Sequence, residues 1–473
     1  MKKAFLYLMG AALVLWSCGK EDPVPEPDPV TPAPKGITLS ATTFSFPAEG
    51  GTASLDVTAP FKPTLRGVPA WLQVQEGEFE DYQISYTLTA EKNDTDTGVT
   101  VSITITSGMY SQLITVSREP GAEVVGPGPV AVDVTDEDLT NPAASAQARN
   151  VYAFLRQKAG KQMLSGVQSG GTANNNERAN TLFQQTGKHP ALVGYDYIFL
   201  QYSPTPASWD WKVDYSDISA AREQWQQNGL VSFMWHWNVP ASEEAWKKGV
   251  EKGDFSGYNF YCDKTSFSIQ RALTEGTWEH AFILQDIDKV AGYLKLLQAE
   301  GIPVLWRPLH EAAGNYTLYG ENGAWFWWGR GGADPCKRLW KLLRDKLEGE
   351  YGLDNLIWVW TLDATEGAEK SYSDWYPGND LVDIVGVDIY AEDTQAKERQ
   401  YQAAVALSAG HKLVTVSECG NIPDPSLCLG AGQTWNWFLV WDLDSFSLNT
   451  VDYWKTLMAS PRVLTREAMP SLK

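Results

Sequence analysis

Positive charge is scarce in this chain. Against 58 Asp and Glu stand only 38 Lys and Arg, a formal net charge of −20 over 473 residues. Phosphate backbones are bound by clustered Lys and Arg, so this balance excludes nucleic acid as a partner. Cysteine is sparse too: Cys18, Cys262, Cys336, Cys419 and Cys428 show no metal-ligand spacing. His310 and Glu311 begin what would become a zinc-binding HExxH motif, but residue 314 is Gly. The GRGG at 329–332 follows a tryptophan pair rather than a strand, so it reads as a turn and not a phosphate loop. No metal and no cofactor is expected. The apolar run from Ala4 to Trp16 is shorter than the roughly 20 residues a membrane-spanning helix needs.

That run has another reading. Met1, Lys2 and Lys3 precede it and Leu15-Trp16-Ser17-Cys18 closes it, which resembles a lipoprotein signal peptide. The resemblance implies that residues 1–17 are removed and that Cys18 is the site of lipid attachment. Gly19, Lys20, Glu21 and Asp22 follow, similar to the acidic export tag of Bacteroidetes lipoproteins, which implies the outer face of an outer membrane. An extracellular address permits a disulfide, with Cys419–Cys428 one option that sequence alone does not decide. Residues 18–36, rich in proline and acidic residues, read as an extended linker.

What is abundant is the aromatic ring, with 21 Trp and 20 Tyr. Most will pack in the core, but flat faces also stack on the C–H faces of sugars, which favours a carbohydrate-handling protein. From 37 to 120 the text runs in short β-rich segments, TTFSF, ASLDVTA, ISYTLTA, VTVSITIT and LITVS, separated by polar and glycine-rich turns. This predicts a small all-β sandwich. TTFSFPAEGGTASLDVT, PAWLQV and LITVSREPG make it similar to a BACON domain, a family named for presumed carbohydrate binding; a plain spacer is the other reading. A second linker covers 121–134.

From 135 to 473 apolar runs alternate with helical stretches, the signature of an α/β fold with a parallel sheet. Eight runs are present, near 162, 190, 230, 302, 356, 382, 412 and 436. Between the third and fourth, Ile287, Val290, Ala291, Leu294 and Leu297 recur at helical spacing. Eight strands with interposed helices predict a (β/α)8 TIM barrel.

In such a barrel the reactive groups sit at the carboxyl ends of the strands. Glu311 ends IPVLWRPLHE on the fourth run and Glu418 ends KLVTVSE on the seventh. Either glutamate alone is explained by a solvated strand end. As a pair on facing strands, they can hold two carboxyls about 5 to 5.5 Å apart, the separation a retaining glycosidase requires. One must stay protonated to serve the leaving oxygen and the other ionised to attack, and two close negative charges favour that split.

RPLHE at 307–311, WFWWG at 325–329, VGVDIY at 385–390 and VSECG at 416–420 resemble glycoside hydrolase family 26. The resemblance implies Glu311 as acid/base and Glu418 as nucleophile. It further implies Arg307 and His310 beside the acid, His236 on the sugar about to be transferred, Asp388 holding its neighbours and Tyr390 on the nucleophile. Trp441 is implied as floor of the bound sugar, and Trp325 as the ring stacking beyond the cleavage point. The segment AAGNYTLYGENGA between Glu311 and Trp325 is longer than the family pattern, which leaves Tyr316 as another occupant of that place. Trp327 and Trp328 read as packing.

The expected function is endo-β-1,4-mannanase action by double displacement on mannan, galactomannan or glucomannan, by a monomer. Mixed-linkage β-glucan, β-1,3-xylan and exo-release of mannobiose are family alternatives that motifs do not separate. A non-catalytic surface glycan-binding protein is the alternative from another class, and the intact glutamate pair argues against it.

Overall fold

Alternating apolar and polar residues in the N-terminal region produce strands with one buried face. The structure, a computed structural model, describes residues 34–93, 98–108, 110–120, 138–170, 174–206, 208, 210–316, 320–363 and 372–473. The expected signal peptide, Cys18, nearly all of the first linker and the second linker lie outside the described residues. The chain divides into two compact units, residues 1–128 and 129–473.

In the first unit the strands are β1 (Thr38–Leu39), β2 (Thr43–Phe46), β3 (Gly51–Thr58), β4 (Thr64–Arg66), β5 (Leu72–Glu76), β6 (Gln83–Ala90), β7 (Val99–Ser107) and β8 (Tyr110–Arg118). They form two four-stranded sheets, β1-β3-β6-β5 and β2-β8-β7-β4. Ile84, Tyr86 and Leu88 of one sheet share a core with Phe44, Ile103, Ile105, Ile114 and Val116 of the other. The five longer runs foretold five of these strands. β1 and β4, of 2 and 3 residues, are too short to show a period, and β5 was not read as a strand.

The second unit is built differently because its strands are buried on both faces. β9 (Met163–Gln168), β10 (Leu192–Asp196), β11 (Leu230–Met234), β14 (Val304–Arg307), β15 (Leu356–Asp363), β16 (Ile384–Ile389), β17 (Leu413–Cys419) and β18 (Trp437–Val440) are buried residue by residue. β12 (Val239–Pro240) and β13 (Tyr258–Asn259) form a separate antiparallel pair, and β19 (Val463–Leu464) lies parallel to β9. The sheet order β10-β11-β14-β15-β16-β17-β18-β9, closed by the β10–β9 pairing, makes an eight-stranded parallel ring. With helices between the strands, this is a (β/α)8 barrel. The eight apolar runs read from the sequence are its eight strands.

The helix Trp278–Ala299 shows how pattern becomes packing. Thr277 caps it by accepting from the His280 N–H, and the Ile287, Val290, Ala291, Leu294 and Leu297 stripe is wholly buried. Each large aliphatic side chain so buried contributes about 1.5–3 kcal/mol relative to exposure. One sequence option is not realised: Cys419 and Cys428 are buried and form no disulfide, and Cys262 and Cys336 are buried as well.

Candidate active site

The carboxyl ends of β14, β16 and β17 meet around one guanidinium. Arg307, the last residue of β14, sends Nη1 to Asp388 Oδ2 at 2.7 Å and Nη2 to Glu418 Oε2 at 2.5 Å. Nη2 also lies 3.2 Å from Met234 Sδ at the end of β11. Arg307, Asp388 and Glu418 are 3%, 1% and 5% exposed, so each charge depends on its partner. Tyr390, the residue after β16 ends, donates its hydroxyl to Glu418 Oε1.

A fault in the β16–β17 ladder aims Glu418. Val387 pairs with Val416, but Asp388 pairs with Glu418, so Ser417 is an extra residue in the register. Such a bulge re-aims side chains that strict alternation would send to opposite faces. Here consecutive residues turn inward: Ser417 Oγ donates to Asp388 Oδ1 at 2.8 Å while Glu418 reaches Arg307. Gly386 makes room, since a Cβ there would lie 2.5 Å from Ser417 Oγ.

Glu311 reaches the cluster by another route. β14 ends at Arg307 because Pro308 has no N–H to continue the ladder. The expectation that Glu311 ends a strand is therefore corrected: it sits four residues further on, in a turn. Leu309 and Glu311 adopt φ of 50° and 51°, a left-handed conformation uncommon outside glycine. The Glu311 N–H donates to Thr361 O of β15 at 3.3 Å, and Glu311 O accepts from Gly314 N at 2.9 Å. Oxygens of Glu311, Asp388 and Glu418 thus lie within 4.8 Å of one another. Three carboxylates at this spacing are a donor set for a cation, and Arg307 supplies the positive charge from within it.

Burial first, then the negative charges of Asp388, Glu418 and Asp363, hold the Glu311 carboxyl well above the usual range, with Arg307 offsetting only part. Asp388 and Glu418 each have a direct charge-assisted bond to Arg307. Burial raises Asp388 as well, but its bonds to Arg307 and Ser417 favour its charged form, so the proton this cluster retains belongs on Glu311. Burial, followed by the Glu418 charge, pushes the Tyr390 hydroxyl up and keeps it a donor. Burial, then His236 and Arg307, hold His310 well below its ordinary range, so it is neutral near pH 7.

Around the acids stand rings. His236 lies just beyond β11; its Nδ1 is 2.6 Å from Asp196 Oδ2, at the end of β10, and its backbone N–H donates to Asp196 Oδ1 at 3.0 Å. Its ring meets those of His310 at 4.6 Å, Phe326 at 5.7 Å and Trp441 at 5.7 Å. Trp441 lines a cavity of about 270 Å³ with Asp196, Arg178 and Phe199. Arg178 Nη1 holds the Trp441 carbonyl at 2.6 Å.

Trp325 lies against the turn that carries Glu311, where a Cβ on Gly314 would run into its ring. Tyr316 instead packs edge-on against Trp375, with ring centroids 5.1 Å apart. Trp327 and Trp328 are fully buried. The sequence reading passed over Asp196, Ser417, Phe326 and Arg178. Asp196 carried the same signal as the glutamates, an acid closing an apolar run. Ser417 and Phe326 lay inside the VSECG and WFWWG motifs without being singled out, and Arg178 carried no signal.

The family model for glycosyl hydrolase family 26 matches residues 140–468. The chain is 36% identical over 339 residues to a mannan endo-1,4-β-mannosidase of Thermothelomyces thermophilus, covering 70% of this chain and 63% of the relative. It is 34% identical over 353 residues to mannan endo-1,4-β-mannosidase B of a Piromyces species, covering 72% of this chain and 56% of that one. The matched region thus spans between half and two thirds of these curated relatives. Among solved structures, the family 26 domain of an endo-β-mannanase/endo-β-glucanase from Prevotella bryantii superposes with a TM-score of 0.63 at 33% identity, covering 70% of this chain and 99% of that one. A β-mannanase from a symbiotic protist of the termite Reticulitermes speratus, complexed with gluco-manno-oligosaccharide, gives 0.60 at 32%, covering 71% and 98%. The matched region takes in the whole barrel and every residue of the Arg307 cluster, and the chain belongs to glycosyl hydrolase family 26.

Proposed function

We propose that this chain is an endo-acting β-1,4-mannanase that retains anomeric configuration, with Glu311 as acid/base and Glu418 as nucleophile. One observation carries the reading: the carboxyl oxygens of these residues approach within 4.8 Å beyond the carboxyl ends of the barrel strands, one group held protonated and the other fixed by Arg307 and Tyr390. Inverting enzymes need about 6.5–9.5 Å to admit a water between their acids, and retaining ones about 5–5.5 Å. Glu418 attacks the anomeric carbon while Glu311 gives its proton to the departing oxygen. Water, deprotonated by Glu311, then releases the sugar from Glu418. In this reading His236 and Trp441 contact the transferred sugar, and His310 orders the acid's turn. The mannan specificity is supported by the names of the two curated relatives.

The test is Glu418→Ala, which should lose reducing-sugar release from galactomannan and glucomannan by at least about 10³-fold while its circular dichroism stays that of the parent. Wild-type rates in that variant end the assignment, and early products that are only mannobiose replace endo by exo action. The sequence around Cys18 further supports a lipid-anchored location on the cell surface, and the BACON resemblance of residues 37–120 supports glycan contact there.

A further inference from the structure

Three barrel loops meet beside the hydrogen-bond donor of Glu418, and one side-chain amide ties them together. Asn421 stands three residues after Glu418, just beyond the end of β17. Its Nδ2 donates to Ala391 O at 2.9 Å, in the loop after β16, and its Oδ1 accepts from the Leu448 N–H at 3.2 Å, in the loop after β18. Asn449 holds Asn421 in turn: its Nδ2 donates to Gly420 O at 2.8 Å, and its Oδ1 accepts from the Ile422 N–H at 3.0 Å. Both asparagines are buried. A buried amide with donor and acceptor both engaged has one satisfied orientation, so it acts as a rigid brace rather than a mobile surface group.

What the brace holds is Tyr390. The Gly420 N–H donates to Ile389 O at 3.2 Å and Asn421 to Ala391 O, so two consecutive residues of the β17 loop grip the backbone on either side of Tyr390. The tyrosine needs that grip, because it is 49% exposed and packing covers only part of it. The covered part meets Phe446, with ring centroids 5.8 Å apart. It also meets Gly420, where an added Cβ would lie 3.1 Å from Tyr390 Cδ1 and 2.7 Å from Phe446 Cε1. The far end of the same ring donates its hydroxyl to Glu418 Oε1. A shift of the backbone at Ala391 therefore moves the hydroxyl relative to the carboxylate it serves.

We propose that Asn421 is a positioning residue for the hydrolysis: through Ala391 it sets the Tyr390 hydroxyl on Glu418, and so the aim of the attacking oxygen. It touches neither substrate nor Glu418 in this role. A misplacement of about 1 Å at a catalytic group can cost about 10²-fold in rate, so a brace outside the cleft has catalytic weight. The proposal rests on Glu418 as nucleophile and deepens that reading.

The experiment is a double-mutant cycle in the full chain, with kcat and KM measured on mannohexaose. Asn421→Ala should lower kcat about tenfold and leave KM within about twofold. In a Tyr390→Phe background the same change should lower kcat less than about twofold, because the hydroxyl that the brace places is already gone. Asn421→Asp keeps an acceptor for the Leu448 N–H but offers Ala391 O no donor. It should repeat both results, and it decides the matter if the alanine variant does not fold. Asn355→Ala removes a like bond, to Ile302 O at 2.9 Å, at the amino ends of β14 and β15, and should leave kcat unchanged in both backgrounds. Equal kcat losses with and without the Tyr390 hydroxyl, a loss confined to KM, or a parental kcat in Asn421→Ala or Tyr390→Phe overturns the proposal. An inactive Glu418→Ala leaves the nucleophile assignment standing in each of those cases, whereas wild-type rates in Glu418→Ala overturn both. A wild type that cleaves another β-glycan in place of mannan is put through the same cycle on that glycan's oligosaccharide, with the same outcomes deciding Asn421.

Discussion

Ser417 and Glu418 are neighbours in the chain and both point into the barrel: one oxygen accepts from Arg307 at 2.5 Å, while the other residue's hydroxyl donates to Asp388 at 2.8 Å. A bulge in β17 makes this possible, and the cluster it assembles leads to predictions that separate charge, geometry and proton placement.

Glu311→Gln should stabilise the protein increasingly as pH rises. The folded carboxyl titrates well above the ordinary value near 4.3, so as pH passes that value the unfolded chain releases its proton while the folded one keeps it. The native state then binds more protons, and parental stability falls with pH until the folded group ionises. Glutamine carries no such penalty. Melting curves at pH 4, 6 and 8 should show the variant's advantage growing by at least about 2 °C; an advantage that shrinks refutes the raised value. In the parent the same group predicts that kcat/KM falls on the alkaline side as Glu311 ionises.

Arg307→Lys should behave as a disruptive change despite keeping its charge. A single ammonium lacks the planar fork that reaches Asp388 and Glu418 from separate nitrogens. One buried carboxylate is left without its partner, at a cost of about 3–5 kcal/mol. Urea titration should show the midpoint dropping accordingly, with activity lost alongside. A variant as stable as the parent means that the pairing contributes little.

Tyr390→Phe removes one donor to Glu418 and almost no volume. A hydrogen bond to a charged group is worth about 1.5–3 kcal/mol, so kcat should fall roughly tenfold to a hundredfold. The bond is already made in the folded protein, so the melting temperature should fall as well, by about 2–4 °C for each kcal/mol lost. A change confined to KM places Tyr390 in substrate binding instead.

Deleting residues 37–120 should weaken retention on insoluble mannan without altering turnover of soluble manno-oligosaccharides. Pull-down with the two forms is sufficient. Equal retention assigns that module to spacing.

The barrel was legible because burial on both faces writes itself into the chain as continuous apolar runs, and the Trp278–Ala299 helix because its stripe recurs at helical spacing. Strand-end logic singled out Glu311 and Glu418, and the family resemblance added Arg307 and Asp388. Their aim was not legible. Glu311 turns inward through left-handed backbone at Leu309 and itself, and Glu418 through a ladder register shared with Asp388. Arg307 meets partners 81 and 111 residues away. Periodicity is a property of neighbours along the chain, so sequence by itself determined which elements form and which side chains stand at their ends. Which of those side chains converge depends on the sign of one φ and on pairing between distant strands, and only the closed barrel decided that.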